Sequence, residues 1–146
     1  MSPDGEMEEK GACIAGSLRL LNRVVTNIYD DALRPIGMTI CQMTMLTVIG
    51  KSGDVTSTGV CDDLQIEKST LSRNLNRMRQ QGWLESLVEE RGTGRQLRLT
   101  EAGEAMLEKG KPYWMAAQKK AASLLGEEGV KDLVRLAQCV CAEQEM

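Results

Sequence analysis

Apolar residues recur at alternating intervals of four and three near the start of the chain. They are Ile14, Leu18, Leu21, Val25, Ile28 and Ala32. This spacing places a narrow apolar stripe along a helix and is typical of a helix that packs against a partner helix. Pro35 and Gly37 end the predicted helix, because proline disfavours helical backbone before it and glycine permits the turn. Thr39 and Gln42 fit a capping box, which predicts a second helix over about residues 41–49.

Two further helices are predicted in the middle of the chain. After a loop at residues 50–54, Thr56 is a suitable N-cap for a short helix that runs through Leu64. A turn at residues 65–68 leads to a helix over about residues 69–80 with its apolar positions on one face. Two helices joined by a short turn, the second with polar side chains outward, predict a helix-turn-helix.

A short hairpin is predicted directly after the helix-turn-helix. Gly82 ends the preceding helix, and residues 83–88 and 96–100 have the pattern of two strands. The turn between them has two glycines within residues 91–94. A hairpin at this place in the chain is a wing.

The last third of the chain predicts two long helical segments. Thr100 is the expected N-cap of the first, which runs to about residue 125 with Pro112 as a bend or a junction. Gly126 breaks the chain, and residues 127–144 form the last helix. Its apolar face consists of Val130, Leu133, Val134, Ala137, Val140 and Cys141. The terminal helices need more partner surface than one small lobe offers, which favours a dimer.

Histidine is absent, and its absence removes many kinds of active site. Nucleophile systems that rely on an imidazole base cannot form, nor can zinc or iron sites built on histidine. The five cysteines are odd in number and lack Cys-x-x-Cys spacing, so we expect reduced thiols and no metal. We therefore expect neither an enzyme nor a bound cofactor.

Basic residues are concentrated in one part of an acidic chain. The whole chain has a net charge of −3, but residues 68–98 contain seven basic and three acidic residues, a net +4. A basic segment in an acidic chain indicates a localised anionic partner. Only Tyr29, Trp83, Tyr113 and Trp114 are aromatic, too few to stack single-stranded bases. Because the basic segment coincides with the predicted helix-turn-helix and wing, we expect double-stranded DNA as the partner.

The predicted fold is mainly α with a small β-wing, a winged helix-turn-helix flanked by N- and C-terminal dimerisation helices. Residues 39–111 are expected to form the DNA-binding lobe, and residues 11–38 with 112–146 the helical dimerisation lobe. Residues 1–10 are acidic and polar, unlike a secretory signal, and predict a disordered or frayed N-terminus. No apolar run approaches the roughly 18 residues of a membrane span. We expect a cytoplasmic protein without a membrane partner.

Short motifs in a fixed order extend over almost the whole chain. They are Arg23, Tyr29, Asp30, Asp31, Leu33, Arg34, Pro35, Gly37, Thr39 and Gln42, the segments 68–73, 81–85 and 99–103, and Trp114, Gln118, Leu125 and Gly126. Together they resemble the MarR family of transcriptional regulators. The resemblance implies a homodimeric repressor with interleaved terminal helices, in which each winged lobe lies over one half-site of a pseudo-palindromic DNA operator.

The predicted helix over residues 69–80 carries most of the candidate DNA-contacting residues. Leu71, Leu75 and Met78 occupy its buried face, and polar side chains occupy the opposite one. The candidates in this region are Lys68, Ser69, Thr70, Ser72, Arg73, Asn76 and Arg77. The N-terminal part of the helix is expected to enter the major groove, where Arg73 can donate to guanine. The amides at the helix start suit a phosphate.

The predicted wing departs from the family's pattern. Family wings usually carry an Asp-x-Arg motif, whose aspartate braces the loop while its arginine reaches the minor groove. Residues 89–95 contain no aspartate, and alignment back from Leu99 puts Arg91 near the place of the missing one. Arg91 and Arg95 are both candidates for the minor groove, because a narrow groove attracts a guanidinium group.

Thiol oxidation is one of two sensing chemistries that the sequence leaves open. Cys13 lies at the start of the first helix, where the resemblance to hydroperoxide-sensing members implies a reactive cysteine with a nearby tyrosine, matched by Tyr29. Oxidised Cys13 would condense with Cys139 or Cys141 of the partner subunit. The competing interpretation is that all five cysteines are small buried apolar residues. Cys41 and Cys61 are expected to be of this kind.

The other sensing chemistry is a small aromatic or amphipathic effector in the crevice between the dimerisation and winged lobes. The candidate lining residues are Arg23, Tyr29, Met38, Met43 and Met45. An alternative function is a dimeric protein-interaction module with a winged-helix fold that no longer binds DNA. The missing wing aspartate and the acidic net charge favour this alternative, and Arg73 with its basic segment opposes it.

Overall fold

The computed structural model describes residues 13–52, 55–87 and 96–144. The chain divides into two compact units. The winged unit is Leu33–Tyr113, and the terminal-helix unit combines the chain up to Ala32 with the chain from Trp114 onward. The main cluster of buried apolar residues lies in the winged unit.

Helices dominate the described residues, and the strands are short. In chain order the elements are α1 (Ile14–Leu33), a 3-10 turn (Arg34–Ile36), α2 (Ile40–Ser52), β1 (Val55–Thr56), α3 (Ser57–Leu64), α4 (Lys68–Gln80), β2 (Leu84–Leu87), β3 (Gln96–Leu99) and α5 (Glu101–Gln144). These elements confirm the predicted fold class, mainly helical with one small antiparallel sheet.

The turn before α2 forms through the predicted glycine and capping box. Gly37 has a φ of 71°, in the left-handed region that suits glycine, and its N–H donates to the Arg34 carbonyl at 2.9 Å. The Thr39 N–H donates to Gln42 Oε1 at 3.1 Å, and the Gln42 N–H donates to Thr39 Oγ1 at 3.2 Å. Two N–H groups at the helix start are thereby satisfied reciprocally.

α2 is longer than predicted. The sequence suggested a loop at residues 50–54, but the helix continues through Ser52. Gly50 lies within this helix and packs closely against β3, since a Cβ there would approach Leu99 Cδ1 to 3.0 Å. Gly50 therefore serves close packing of α2 against β3 rather than a turn.

The sheet has three antiparallel strands in the order β1-β3-β2. The hairpin pairs Leu84 with Leu99 and Glu85 with Arg98, and the predicted strand at residues 83–88 is described as 84–87. β1 was not predicted, because it has only two residues and exists through pairing with β3. Its pairing, Val55 with Leu97, places the start of α3 beside the hairpin.

Thr100 joins the end of β3 to the end of α4 and to the start of α5. Its N–H donates to the Trp83 carbonyl at 3.1 Å, and its hydroxyl donates to the Gly82 carbonyl at 2.5 Å. The same hydroxyl oxygen accepts from the Gly103 N–H at 3.1 Å, which is the predicted N-cap of α5. Gly82 has a φ of 78° and ends α4 as predicted.

The core of the winged unit is built from all of its described helices and from the sheet. Its buried members are Leu33, Met38, Met43, Met45, Leu46, Ile49, Val60, Leu71, Leu75, Met78, Trp83, Leu84 and Leu97, with Met106 and Leu107 of α5 packed against them. This core fixes one face of α4, which leaves the opposite face accessible.

The terminal-helix unit consists of α1 and the later part of α5. The Tyr29 hydroxyl donates to Gln118 Oε1 and links the two helices, beside buried Ala117 and Ala121. α5 continues through Pro112 with helical backbone, and its non-helical residue is Gly126, with φ 77° and ψ 163°. The break predicted at Gly126 is therefore confirmed.

Candidate nucleic-acid interface

α4 presents its polar side chains to solvent while its apolar side chains enter the core. Leu71, Leu75 and Met78 are 0–4% exposed. Of the seven candidates in this region, Lys68, Ser69, Ser72, Arg73, Asn76 and Arg77 are exposed, and Thr70 is half-buried. The helical period produces this division, because residues three and four apart lie on the same side. The structure thus brings the seven candidates together on one accessible helix.

The accessible face of α4 is electropositive. Lys68, Arg73 and Arg77 are exposed, and the helix itself contains no acidic residue. The N-terminal amides of a helix add partial positive charge at its first turn. Serine and asparagine side chains between the cations supply hydrogen-bond donors and acceptors. Such a face can bind phosphate oxygens and base edges together.

The turn between α3 and α4 is fixed by local hydrogen bonds. Thr56 caps α3, since its hydroxyl oxygen accepts from the Gly59 N–H at 3.0 Å. Gln65 adopts a left-handed backbone with a φ of 55°, uncommon for a residue with a side chain. Its N–H donates to the Cys61 carbonyl, and its Nε2 donates to the Asp62 carbonyl at 2.8 Å. These bonds hold the direction in which α4 leaves the turn.

Asn74 was not among the sequence candidates, yet it ties α4 to α2. Its Nδ2 donates to the Thr70 carbonyl at 3.0 Å within α4 and contacts Cys41 Sγ of α2 at 3.8 Å. The sequence indicated this role only weakly, because Asn74 is a single polar residue between the buried and the exposed positions of the helix. Asn74 positions the helix that carries the candidate DNA contacts.

The tip of the wing lies outside the described residues. Arg91 and Arg95, the two candidates for a minor-groove contact, fall in this part of the chain. At the base of the hairpin, exposed Arg98 stands across from exposed Glu85. Opposite charges at paired positions stabilise a hairpin modestly.

Comparison with known proteins fits this geometry. The model of the MarR family matches residues 36–96. The crystal structure of the M. tuberculosis transcriptional regulator MosR is 30% identical, with a TM-score of 0.75 over 89% of this chain and 96% of that chain. The chain belongs to the MarR family. The resemblance inferred from the motifs is confirmed.

MarR-family structures solved with DNA also match the fold. MosR in complex with DNA is 30% identical, with a TM-score of 0.75 over 89% of this chain and 97% of that chain. A mutant of MarR from E. coli complexed with operator DNA is 22% identical, with a TM-score of 0.77 over 89% and 96%. Comparison with curated protein sequences finds no match.

The three redox candidates, Cys13, Cys139 and Cys141, are exposed in the single chain. None of the five cysteines, all within the described residues, forms a disulfide. Tyr29 lies sixteen positions after Cys13, about 24 Å along a helix. Its hydroxyl donates to Gln118, and burial raises its pKa above the ordinary value. A Cys13–Tyr29 contact within one chain is therefore ruled out by distance.

Cys41 and Cys61, expected to be buried, are half-buried and pack against the core of the winged unit.

The crevice candidates divide between the two units. Arg23 and Tyr29 belong to α1, where Arg23 is exposed. Met38, Met43 and Met45 are 0–7% exposed and fill the core of the winged unit. Their burial gives these methionines a packing role.

Neither a metal site nor a single membrane-spanning helix is found within residues 13–52, 55–87 and 96–144. No three His, Cys, Asp or Glu side chains in these ranges come together as metal ligands. None of their helices alone is long and apolar enough to cross a membrane, although residues 14–36 and 40–51 meet the length and composition criterion as a bent pair.

Proposed function

We propose that this MarR-family protein is a homodimeric, sequence-specific regulator of transcription that binds double-stranded DNA in the cytoplasm. It acts as a repressor on a pseudo-palindromic operator, and each winged unit contacts one half-site. The observation that carries the proposal is the exposed face of α4, where Arg73 stands among serine and asparagine side chains over a buried apolar face. The DNA complex of MosR, 30% identical, supports it.

Within this proposal, α4 enters the major groove with its first turns. Arg73 donates to the acceptors of a guanine edge, the commonest specific contact of an arginine. Lys68 and the amides at the helix start bind a phosphate and set the register of the helix on the duplex. Arg91 or Arg95 reaches into the adjacent minor groove from the wing.

Dimerisation through the terminal helices is the second part of the proposal. Both helices expose large apolar side chains in the single chain. They are Ile14, Leu18, Leu20 and Leu21 of α1 and Leu124, Leu133, Val134, Leu136 and Val140 of α5. Contiguous exposed apolar surface marks an interaction site. A second copy of the chain would cover it and would set the spacing of the two half-sites.

Release from DNA is proposed to follow from one of two effects on the dimer. Oxidation would join Cys13 to Cys139 or Cys141 of the partner subunit, and the exposure of all three thiols supports this route. A small aromatic or amphipathic effector is the other route. To separate the two routes, DNA binding is measured with the reduced protein, again after treatment with stoichiometric organic hydroperoxide, and again after re-reduction. A loss of DNA binding that a reductant reverses supports the oxidation route. DNA binding that the peroxide does not change supports the effector route.

A protein-interaction module without DNA binding is the second candidate function, favoured by the net charge of −3. Fluorescence anisotropy on the intergenic DNA upstream of the protein's own gene decides between the two. A sequence-specific DNA-binding protein binds this duplex more tightly than a scrambled one. Its affinity falls steeply as the salt concentration rises, because binding releases counterions from the DNA phosphates. Equal affinity for both duplexes with a flat salt dependence would overturn the proposed function.

A further inference from the structure

A groove of about 650 Å³ lies between α4 and the hairpin, within the winged unit. One wall is α4, and the other walls come from α3, the turn after it and Leu97 of β3. Four polar residues of α4 line the groove at spacings of four, four and three, which places them in one row along the helix: Lys68, Ser72, Asn76 and Arg79. The first three also belong to the exposed face of α4 that is proposed to contact DNA. The groove is therefore continuous with that face.

The chemistry of the groove suits an extended polyanion. Lys68 and Arg79 stand at the two ends of the row, eleven positions apart, about 16 Å along a helix. The described lining residues include no acidic side chain. Leu71, Leu75 and Leu97 form an apolar floor. A sugar–phosphate backbone combines the matching features, because its charged phosphates alternate with the carbon atoms of the sugars.

Arg79 supplies the decisive observation. The residue is half-buried, its Nε is fully buried, and no described residue accepts a hydrogen bond from that Nε. A buried N–H without an acceptor is rare in folded proteins and costs free energy. The other arginine in the second half of α4, Arg77, is exposed and does not line the groove. An acceptor atom that a bound molecule brings into the groove would satisfy Arg79.

The path of DNA in the proposed complex brings such an acceptor. In that complex α4 enters the major groove of the duplex, and the wing reaches into the adjacent minor groove. Adjacent major and minor grooves are separated by one sugar–phosphate backbone, so one DNA strand must cross the space between α4 and the hairpin. The groove that contains Arg79 occupies this space.

We propose that the groove seats this DNA strand and that Arg79 binds one of its phosphates. The inference rests on the proposed function and adds to it a residue outside the exposed face of α4. Arg79 Nε donates a charge-assisted hydrogen bond to a phosphate oxygen. Because phosphates carry no sequence information, Arg79 contributes affinity for any duplex and sets the register of α4, whereas Arg73 contributes the choice of sequence.

The stability of Arg79→Met without DNA separates a DNA contact from a structural role. Methionine keeps an unbranched apolar stem at position 79 and removes the buried donor that lacks an acceptor. We therefore expect the urea midpoint of the variant to equal or exceed that of wild type at the same protein concentration. A lower midpoint would show that Arg79 holds the fold together and would overturn the proposal.

The same variant should lose affinity for every duplex to the same degree. At low salt, the Kd for the upstream duplex and for a scrambled one should each rise about tenfold, because a charge-assisted hydrogen bond is lost. The salt dependence of log Kd should become shallower by about one unit of slope. Arg79→Lys, which restores the charge, should recover part of the affinity.

Lys109→Met is the matched control, because it removes one positive charge from an exposed position of α5. Its Kd values and its salt dependence should equal those of wild type. Equal Kd values in Lys109→Met and Arg79→Met would overturn the proposal. A loss in Arg79→Met that is confined to the upstream duplex would also overturn it, since that result would make Arg79 a base contact.

Methylphosphonate groups in the DNA locate the contact. Each replaces one phosphate of the upstream duplex and removes its negative charge. At one position or more in each half-site, the replacement should weaken binding of wild type and of Lys109→Met, and should have no further effect on Arg79→Met. Replacements that all weaken Arg79→Met as much as wild type would contradict the phosphate contact.

Thiol protection in the wild-type protein tests occupancy of the groove without any substitution. Cys61 lines the groove and Cys41 does not, although both are half-buried. A saturating concentration of the upstream duplex should slow alkylation of Cys61 by iodoacetamide, read by mass spectrometry, and leave the rate at Cys41 unchanged. Bound DNA that leaves Cys61 as reactive as in the free protein would overturn the proposal and keep the proposed function. A wild-type protein that binds neither duplex would refute the proposed function, and this inference with it.

Discussion

The backbone of Gly103 lies against the carbonyl group of Trp83. A Cβ at position 103 would stand 1.9 Å from the Trp83 oxygen, a distance that only the missing side chain of glycine avoids. The contact places the first turn of α5 directly on the segment between α4 and β2. The geometry of the hairpin relative to α4 therefore depends on this glycine.

Gly103→Ala is expected to destabilise the winged unit by about 2–3 kcal/mol, because a backbone carbonyl cannot move aside as a side chain can. Gly110→Ala is the matched control in the same helix. There the added Cβ would meet the flexible end of Met43 at 3.4 Å, an ordinary contact. Urea unfolding at one fixed protein concentration compares them. Equal stability of the two variants would contradict the close approach at Trp83.

Features that depend on residues close together in the chain could be predicted from the sequence. The capping box at Thr39, the N-cap at Thr56 and the break at Gly126 each follow from a few adjacent side chains. Strand β1 could not be predicted, because its two residues are a strand only through pairing with β3. Gly50 was misinterpreted as part of a loop for the same reason, since its role depends on Leu99.

The exposed residues of the candidate site could be predicted from the sequence, but the residues that hold α4 in place could not. The helical period alone assigned Arg73 to the accessible side of α4, because the spacing of the buried leucines determines it. Asn74 was missed because its partner Cys41 is 33 residues away in the chain.

Asn74 and Asn76 are two residues apart in α4, and we expect alanine substitutions of them to affect different properties, stability for Asn74 and DNA binding for Asn76. Asn74→Ala removes hydrogen bonds that hold the helix and should cost about 1 kcal/mol of unfolding free energy. Asn76→Ala, at an exposed position, should leave stability within about 0.5 kcal/mol and weaken DNA binding instead. Urea unfolding and DNA anisotropy on both variants read the two effects. A larger loss of stability in Asn76→Ala would refute this division.

Leu18→Glu is expected to disrupt the proposed homodimer. The side chain is 56% exposed in the single chain and would place a charge in an apolar interface. Asn27→Glu, also exposed on α1 but on the opposite side by helical spacing, is the control. Analytical ultracentrifugation should give a dimer for wild type and for Asn27→Glu, and mainly monomer for Leu18→Glu. A dimer in all three proteins would place the interface elsewhere.

DNA binding by the Arg73→Ala variant tests the central claim most directly, that the exposed face of α4 reads an operator. Anisotropy is measured on the upstream duplex and on a scrambled one at the same salt concentration. We expect the variant to lose about 1–3 kcal/mol on the upstream duplex and to discriminate less between the two. Lys109→Ala, an exposed cation of α5, should bind like wild type. Unchanged affinity and discrimination in Arg73→Ala would contradict the account.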